Sequence, residues 1–297
     1  MKRVLLIVNP VAGKLRLHSE LFDIVEVFCN NDYIVTTAIT QYRGHGKELA
    51  ARAKQDGYDL IVCCGGDGTL NEAMSGLLEH SDTADIPLGY IPAGSTNDFA
   101  NTLGISSVPT DAAENICRSK ISTIDVGKFG DTHNFSYIAT FGAFSAASYS
   151  APQELKNSIG HLAYVLEGIK QFRNMPRYNV RIVADGVEHR GEYIYCSVSN
   201  TRSVAGIVKL SENLVNLHDG LFEVILVKYP NNVAETTKII SGIISSDFSN
   251  DMFEFFKAKD ITFRTEENTA WSLDGEKVYA PQEVRIRNLA SAIKMYL

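Results

Sequence analysis

Gly65-Gly66-Asp67-Gly68-Thr69 stands between Asp59-Leu60-Ile61-Val62-Cys63-Cys64 and Leu70-Asn71-Glu72-Ala73-Met74-Ser75-Gly76-Leu77-Leu78. The segment before it is a short apolar run that reads as a buried strand, and the segment after it has helical spacing. A glycine-rich turn therefore joins the end of a strand to the start of a helix. In that geometry backbone N–H groups approach phosphate oxygens with no Cβ in the way. Thr69 and Glu72 fit a Ser/Thr-x-x-Glu capping box, which predicts that the helix begins at Thr69. Asp67 is a carboxylate among phosphate-cradling amides, a placement that calls for a divalent cation between the like charges. A tight turn with an ordinary N-cap is the plainer alternative for this stretch taken alone.

Two more loops of the same kind flank it in sequence. Val4-Leu5-Leu6-Ile7-Val8 reads as a second buried strand and ends in Asn9-Pro10-Val11-Ala12-Gly13-Lys14. Pro10 cannot continue a central strand, and Gly13 permits an unusual backbone turn. Ile86-Pro87-Leu88-Gly89-Tyr90-Ile91 leads into Pro92-Ala93-Gly94-Ser95-Thr96-Asn97-Asp98-Phe99-Ala100, where a glycine and small polar residues again open a helix. Three such loops are expected at one edge of a parallel sheet, the edge where open α/β sheets bind ligands. Thr40 ends the second strand at that same edge.

Through residue 127 the pattern alternates strand and helix. Strands are expected at 3–8, 33–40, 59–64, 86–91 and 121–127, with helices near 18–30, 46–56, 70–80, 97–103 and 110–119. Gly57 suits the end of the second helix. This reads as a doubly wound parallel sheet. From 128 to 288 the chain is β-rich: Asp185-Gly186 between Val180-Arg181-Ile182-Val183-Ala184 and Val187-Glu188-His189-Arg190 is a strong hairpin signal, and further strands are expected at 192–198, 221–227, 261–264 and 284–287. Helical stretches near 158–173 and 232–246 interrupt them. The expected fold class is α/β plus all-β, with a β-sandwich as the second domain.

Length agrees with two domains, since 297 residues exceed the usual single-domain size. A formal net charge of −7 argues against bulk nucleic-acid binding and against general attraction to an anionic membrane. No apolar run approaches the ~20 residues needed to span a bilayer. Met1-Lys2-Arg3 and the five apolar residues after it are too short for a signal peptide. Cys29, Cys63, Cys64, Cys117 and Cys196 are odd in number and show no Cys-x-x-Cys pattern, so a reduced, cytosolic protein is the simplest expectation.

Six motifs taken together resemble the soluble bacterial lipid kinases of the diacylglycerol kinase catalytic-domain family. They are Asn9-Pro10-x-x-Gly13, Gly65-Gly66-Asp67-Gly68-Thr69-Leu70-Asn71-Glu72, Gly94-Ser95-Thr96-Asn97-Asp98-Phe99-Ala100, Asp125-Val126-Gly127, Asp219-Gly220-Leu221-Phe222-Glu223-Val224 and Leu273-Asp274-Gly275-Glu276. They occur in the family's order and span nearly the whole chain. The Gly-Gly-Asp-Gly-Thr element alone is shared with NAD kinases and phosphofructokinases. The resemblance implies a first domain of NAD kinase and phosphofructokinase type, and a C-terminal tail, 289–297, that packs back on it.

Phosphoryl transfer needs phosphate positioning, charge neutralisation and a proton acceptor. Asn9, Gly13, Gly65, Gly66, Gly68, Thr69, Leu70 and Asn71 are expected to line the ATP triphosphate; the resemblance adds Thr40 and Ser95. Asp67, Asp98 and Asp125 stand at the mouths of different strands and are expected to converge on a Mg²⁺ and water network, which the resemblance supports. Glu276 is the expected general base on the resemblance alone. It must come within ~3 Å of the lipid hydroxyl across an interdomain cleft, and Asp274 on the same turn is the next candidate. The resemblance also implies a second Mg²⁺ at Asn216, Asp219 and Leu221, structural or regulatory in role.

The acceptor side is less legible. Phe141 to Tyr149 and the stretch 158–173, flanked by Lys156, Lys170, Arg173 and Arg177, form a candidate lipid or membrane face; an amphipathic core helix is the plainer alternative. The expected protein is an ATP- and Mg²⁺-dependent lipid kinase, cytoplasmic and peripherally membrane-associated, acting on a lipid substrate at the membrane surface. Diacylglycerol is the favoured acceptor, with phosphatidylglycerol, an isoprenoid alcohol or a sphingoid base as alternatives. An NAD kinase and a non-catalytic nucleotide or lipid sensor are the competing readings, and a homodimer is left open.

Overall fold

A computed structural model describes all residues except 13–15, 80–84, 95–96, 144–175, 202, 205–207 and 210–215. Its elements begin β1 (Lys2–Val8), α1 (Arg16–Asn30), β2 (Tyr33–Ile39), α2 (His45–Arg52), β3 (Leu60–Gly65), α3 (Asp67–Leu77), β4 (Leu88–Pro92), α4 (Asp98–Leu103), α5 (Pro109–Arg118) and β5 (Ile121–Phe129). They continue β6 (His133–Phe135), β7 (Ile138–Gly142), β8 (Tyr178–Ala184), β9 (Val187–Ser199), β10 (Ser203–Val204), β11 (Val208–Lys209), β12 (Phe222–Lys228) and α6 (Val233–Ser245). The last are β13 (Phe253–Ala258), β14 (Asp260–Thr265), β15 (Thr269–Leu273), β16 (Glu276–Ala280) and β17 (Glu283–Tyr296). The chain divides into two compact units, Met1–Val126 with Ala290–Leu297, and Gly127–Leu289.

In the first unit β2, β1, β3 and β4 lie side by side in that order, all parallel. Met295, near the C-terminus, adds a parallel pairing beside Leu88 of β4. Every residue of β3 is buried, as in strands covered on both faces. Alternation sorts their side chains. Val4, Leu6, Val8, Leu60, Val62 and Cys64 form one core with Ile24 and Phe28 of α1 and Ala112, Ala113 and Ile116 of α5. The intervening residues face the other way, toward α2 and α3, which pack on each other. This is the doubly wound arrangement.

The second helix ends at Arg52, short of the expected 56. The chain then tightens through turns to Gly57, whose φ of 74° closes the segment as Tyr58 N–H donates to Ala53 O. The capping box is corrected outright. α3 starts at Asp67 with Gly66 as its N-cap, so Thr69 already lies inside the helix. Glu72 does not reach back to Thr69. Its carboxylate accepts the Gly44 and Gly46 N–H groups, at 2.7 and 3.1 Å, and so caps α2 instead. The motif fits the local sequence, but the Gly66 carbonyl already accepts the Thr69 and Leu70 N–H groups of α3, while neighbouring α2 offers open N–H donors to Glu72.

In the second unit the strands run β16-β15-β7-β9-β8-β14-β17, and β12 pairs with both β9 and β13. β9 is long enough for its first half to pair with β8 and its second half with β7 and β12. The two layers enclose one core, centred on Trp271, whose ring meets Phe129, Phe141 and Phe263 at centroid distances of 5.1, 4.7 and 5.1 Å. Asp185-Gly186 makes the expected two-residue hairpin, with φ of 47° and 87°. α6 occupies the expected 232–246 region, while 158–173 lies outside the described residues.

Close packing of α2 on α3 generates a test. A Cβ on Gly76 would stand 2.2 Å from the Lys47 carbonyl oxygen, a backbone atom that cannot swing aside. Gly76→Ala should lower unfolding free energy by about 1–3 kcal/mol in urea melts, although alanine is the better helix former. Unchanged stability would mean that the two helices are not in that contact.

Candidate active site

The order β2-β1-β3-β4 places a topological switch between β1 and β3, because β1 hands on to α1 on one face and β3 to α3 on the other. Asn9 follows β1 and Gly65 ends β3, so both expected phosphate loops sit at the switch point. Asn9 ties them together. Its N–H donates to Cys64 O at 2.9 Å, its Oδ1 accepts Val11 N–H at 3.1 Å, and its Nδ2 donates to Thr69 Oγ1 at 3.0 Å. Thr40, next to the end of β2, donates its N–H to Val8 O.

The third loop joins the same edge. Ala93 N–H donates to Gly65 O at 2.7 Å. A Cβ on Gly94 would stand 2.7 Å from Gly66 Cα, so this approach requires glycine. Asn97 locks the loop by accepting Gly94 N–H and donating to Gly94 O, at 2.8 and 3.0 Å, and it takes a left-handed conformation at the start of α4.

Asp67 and Asp98 are brought together. Asp98 N–H donates to Asp67 Oδ2 at 3.0 Å, and the hydroxyl of buried Tyr90 donates to Asp67 Oδ1 at 3.2 Å. Asp125 is fully buried on β5, and its Oδ1 accepts Ser291 N–H at 2.7 Å. Among the described residues, no three His, Cys, Asp or Glu side chains group as direct metal ligands. Asp67 and Asp98 are joined directly, while the contact of Asp125 runs to the returning chain at Ser291. The donor chemistry of this edge still fits Mg²⁺, which takes oxygen ligands and keeps most of its shell as water and phosphate, needing one or two carboxylates.

Leu70 is buried and spends its N–H on Gly66 O. Asn71 lies one turn into α3, where Ser75 Oγ donates to its Oδ1 at 3.4 Å. Gly13 and Ser95 lie outside the described residues. Tyr90, Asn97 and the capping role of Glu72 escape a sequence reading. Tyr90 sits in an apolar run and reads as core, while the other two act through contacts with no sequence pattern.

In the second unit, Asp274-Gly275 forms the turn between β15 and β16, with φ of 49° and 92°. Asp274, the alternative base, has both carboxylate oxygens engaged by backbone donors. One of its oxygens accepts Tyr137 and Ile138 N–H, both at 3.0 Å, and the other accepts Ser136 N–H. Its own N–H donates to Ile138 O. The side chain is an anchor that fastens the turn to the segment leading into β7. Glu276, two residues on, opens β16 at the surface.

Asn216, Asp219 and Leu221 stand before β12. Asn216 Oδ1 accepts His218 N–H, and Asp219 Oδ1 accepts Leu221 N–H, each at 3.1 Å. Asp219 Oδ2 lies 3.2 Å from Lys257 Nζ, which is also 3.1 Å from Glu223 Oε1. Burial pushes the Glu223 carboxyl up to about 7, against the opposing pull of Lys257. Arg177 pairs with Glu192 at 3.2 Å and lies over the Tyr229 ring; Lys156, Lys170 and Arg173 lie outside the described residues, as does most of the 141–149 stretch.

Residues 3–129 match the diacylglycerol kinase catalytic domain, and residues 140–296 match the YegS C-terminal NAD kinase beta sandwich-like domain. A diacylglycerol kinase of Bacillus subtilis (strain 168) is 32% identical over 280 residues, spanning 93% of this chain and 90% of that protein. One from Staphylococcus aureus (strain MRSA252) is 31% identical over 276 residues, spanning 93% and 86%. A crystal structure of a diacylglycerol kinase from Bacillus anthracis str. Sterne superposes with a TM-score of 0.80 at 28% identity, covering 99% of this chain and 96% of that one. With both halves matched, and relatives aligned over nearly their full length, the chain belongs to the diacylglycerol kinase catalytic-domain family and is a lipid kinase.

Proposed function

We infer that the chain transfers the γ-phosphate of ATP to the hydroxyl of diacylglycerol, giving phosphatidic acid, with Mg²⁺ required. The observation that carries this reading is Gly68. It is the second residue of α3, where helix N–H groups have no intrahelical partner, and among the described residues nothing lies within 4 Å of where a Cβ would stand. Packing does not explain a glycine there; the close approach of a phosphate to the helix N-terminus does. Asn9, Gly65, Gly66, Thr69 and the third loop supply the rest of the cradle, with Gly13, Thr40, Asn71 and Ser95 as further contacts. The diacylglycerol acceptor is supported by the names of the relatives.

Asp67 and Asp98 would hold Mg²⁺, which when bound neutralises charge on the phosphates during transfer. Tyr90 and the Asp98 N–H keep the Asp67 carboxylate in one orientation. Glu276 accepts the proton of the attacking hydroxyl, and the anchored Asp274 keeps its turn rigid. The acceptor's chains hold it in a bilayer, so the protein works peripherally at a membrane surface.

The test is label transfer from ATP to vesicles containing diacylglycerol, phosphatidylglycerol, an isoprenoid alcohol or sphingosine, with NAD as a soluble acceptor. Phosphatidic acid should be the labelled product, and EDTA should abolish it. Label in another lipid with none in phosphatidic acid overturns the acceptor; label in NADP overturns the lipid-kinase reading of the site. Gly68→Ala should melt like the parent yet raise the KM for ATP, and Asp67→Ala should abolish turnover at saturating Mg²⁺.

Glu276→Gln should lower kcat by about 10²–10⁴-fold with little change in ATP affinity. Asp274→Asn leaves a buried N–H facing a poorer acceptor, so it should cost roughly 1–3 kcal/mol of stability and lower kcat as well. Combining the two should lower kcat little beyond Glu276→Gln alone, because Asp274 acts through the position of Glu276. Multiplicative losses would give Asp274 a separate role.

A further inference from the structure

The turn Asn216–Leu221 has the look of a cation site, and its side-chain oxygens are already engaged. Asn216 Oδ1 and Asp219 Oδ1 accept N–H groups of their own turn, from His218 and Leu221. Asp219 Oδ2 is bonded to the Lys257 ammonium at 3.2 Å. That ammonium also meets Glu223, whose side chain is wholly buried. Leaving a buried carboxylate without its charge partner is strongly destabilising.

Strand register delivers the partner. Glu223 of β12 and Lys257 of β13 are directly opposed in the antiparallel pair. Opposed residues share a face, with their Cβ atoms about 4.5–5.5 Å apart. The ammonium is therefore set beside Glu223 by six consecutive backbone pairings, from Phe222↔Ala258 to Val227↔Phe253. A one-residue slip would turn Lys257 to the opposite face. A divalent ion on Asp219 would have to displace this ammonium or sit against it.

We propose that Lys257 is the resident cation of this turn, taking the place of a divalent ion, and that removing its charge converts Asp219 and Glu223 into a divalent-cation site. The second Glu223 oxygen, Oε2, has no hydrogen-bond partner among the described residues. It is the group through which an incoming ion would join the two carboxylates. The proposal does not rest on the phosphotransfer reading, and its readout needs no nucleotide.

Thermal melting of the full chain, without ATP, in EDTA and in MgCl₂ tests it. The parent and Lys257→Arg should melt at the same temperature in both buffers. Lys257→Met should melt lower in EDTA and regain roughly 2–5 °C in saturating Mg²⁺. Adding Asp219→Asn to Lys257→Met should remove that gain. If Lys257→Met does not fold, Glu223→Gln in the same chain should restore folding by removing the uncompensated buried charge; failure of that rescue overturns the proposal. A parent whose melting temperature rises in Mg²⁺, with the rise lost in Asp219→Asn, overturns it too, since the turn would then hold a divalent ion with Lys257 in place. So does a Lys257→Met protein that melts like the parent in both buffers.

Discussion

The reversal of winding between β1 and β3 is the constraint from which the arrangement of the three loops follows. The helix after β1 packs on one face of the sheet and the helix after β3 on the other. Where the two strands end, the polar groups of the loops must find partners outside the sheet ladder. Asn9 does most of this, using its N–H, its carbonyl oxygen and its amide nitrogen on three different partners. The tie to Thr69 fixes the first loop against α3. The glycine contact between Gly66 and Gly94 then draws in the third loop, and Asp98 arrives within reach of Asp67. The cradle is thus a by-product of topology, finished by a few side chains.

α3 carries two tasks at different heights. Its first turn presents Asp67 and Gly68, and one turn further Glu72 reaches sideways to the start of α2. A carboxylate at a helix N-terminus is favourable for charge as well as for hydrogen bonding. Here the helix being capped is a neighbour, so the bond fixes two helices to each other. Gly76 permits the same contact at closer range. The placement of the glycine-rich turn and the packing of α2 on α3 are for that reason one property of the fold.

Strand-turn-helix at 59–78 is legible in the sequence because its signals are local: an apolar run, three glycines and helical spacing. Doubly wound alternation and the Asp185-Gly186 hairpin are legible for the same reason. The misreadings come from non-local partners. Thr69 and Glu72 satisfy a capping pattern, yet Thr69 bonds Asn9 and Glu72 bonds Gly44 and Gly46, from elements that local sequence does not bring near. Tyr90 reads as core and is core, but its hydroxyl meets Asp67. Asp274 and Glu276 look equivalent as acids on one turn. Only the three N–H groups of 136–138, remote in sequence, separate an anchor from an exposed carboxylate.

In the β unit, acids that hold turns do so through backbone N–H groups. Asp185 accepts the N–H groups of Lys259 and Asp260, both at 3.0 Å, and Asp274 accepts three. Such a carboxylate is held in one position by the donors around it. That makes it a good anchor. A general base needs the reverse: a carboxylate that can take a proton without losing the structure around it, on a backbone stiff enough to keep it aimed. In the proposed mechanism the two roles are divided within one turn. Asp274 supplies the rigidity, and Glu276, two residues on at the surface, is the carboxylate proposed to take the proton.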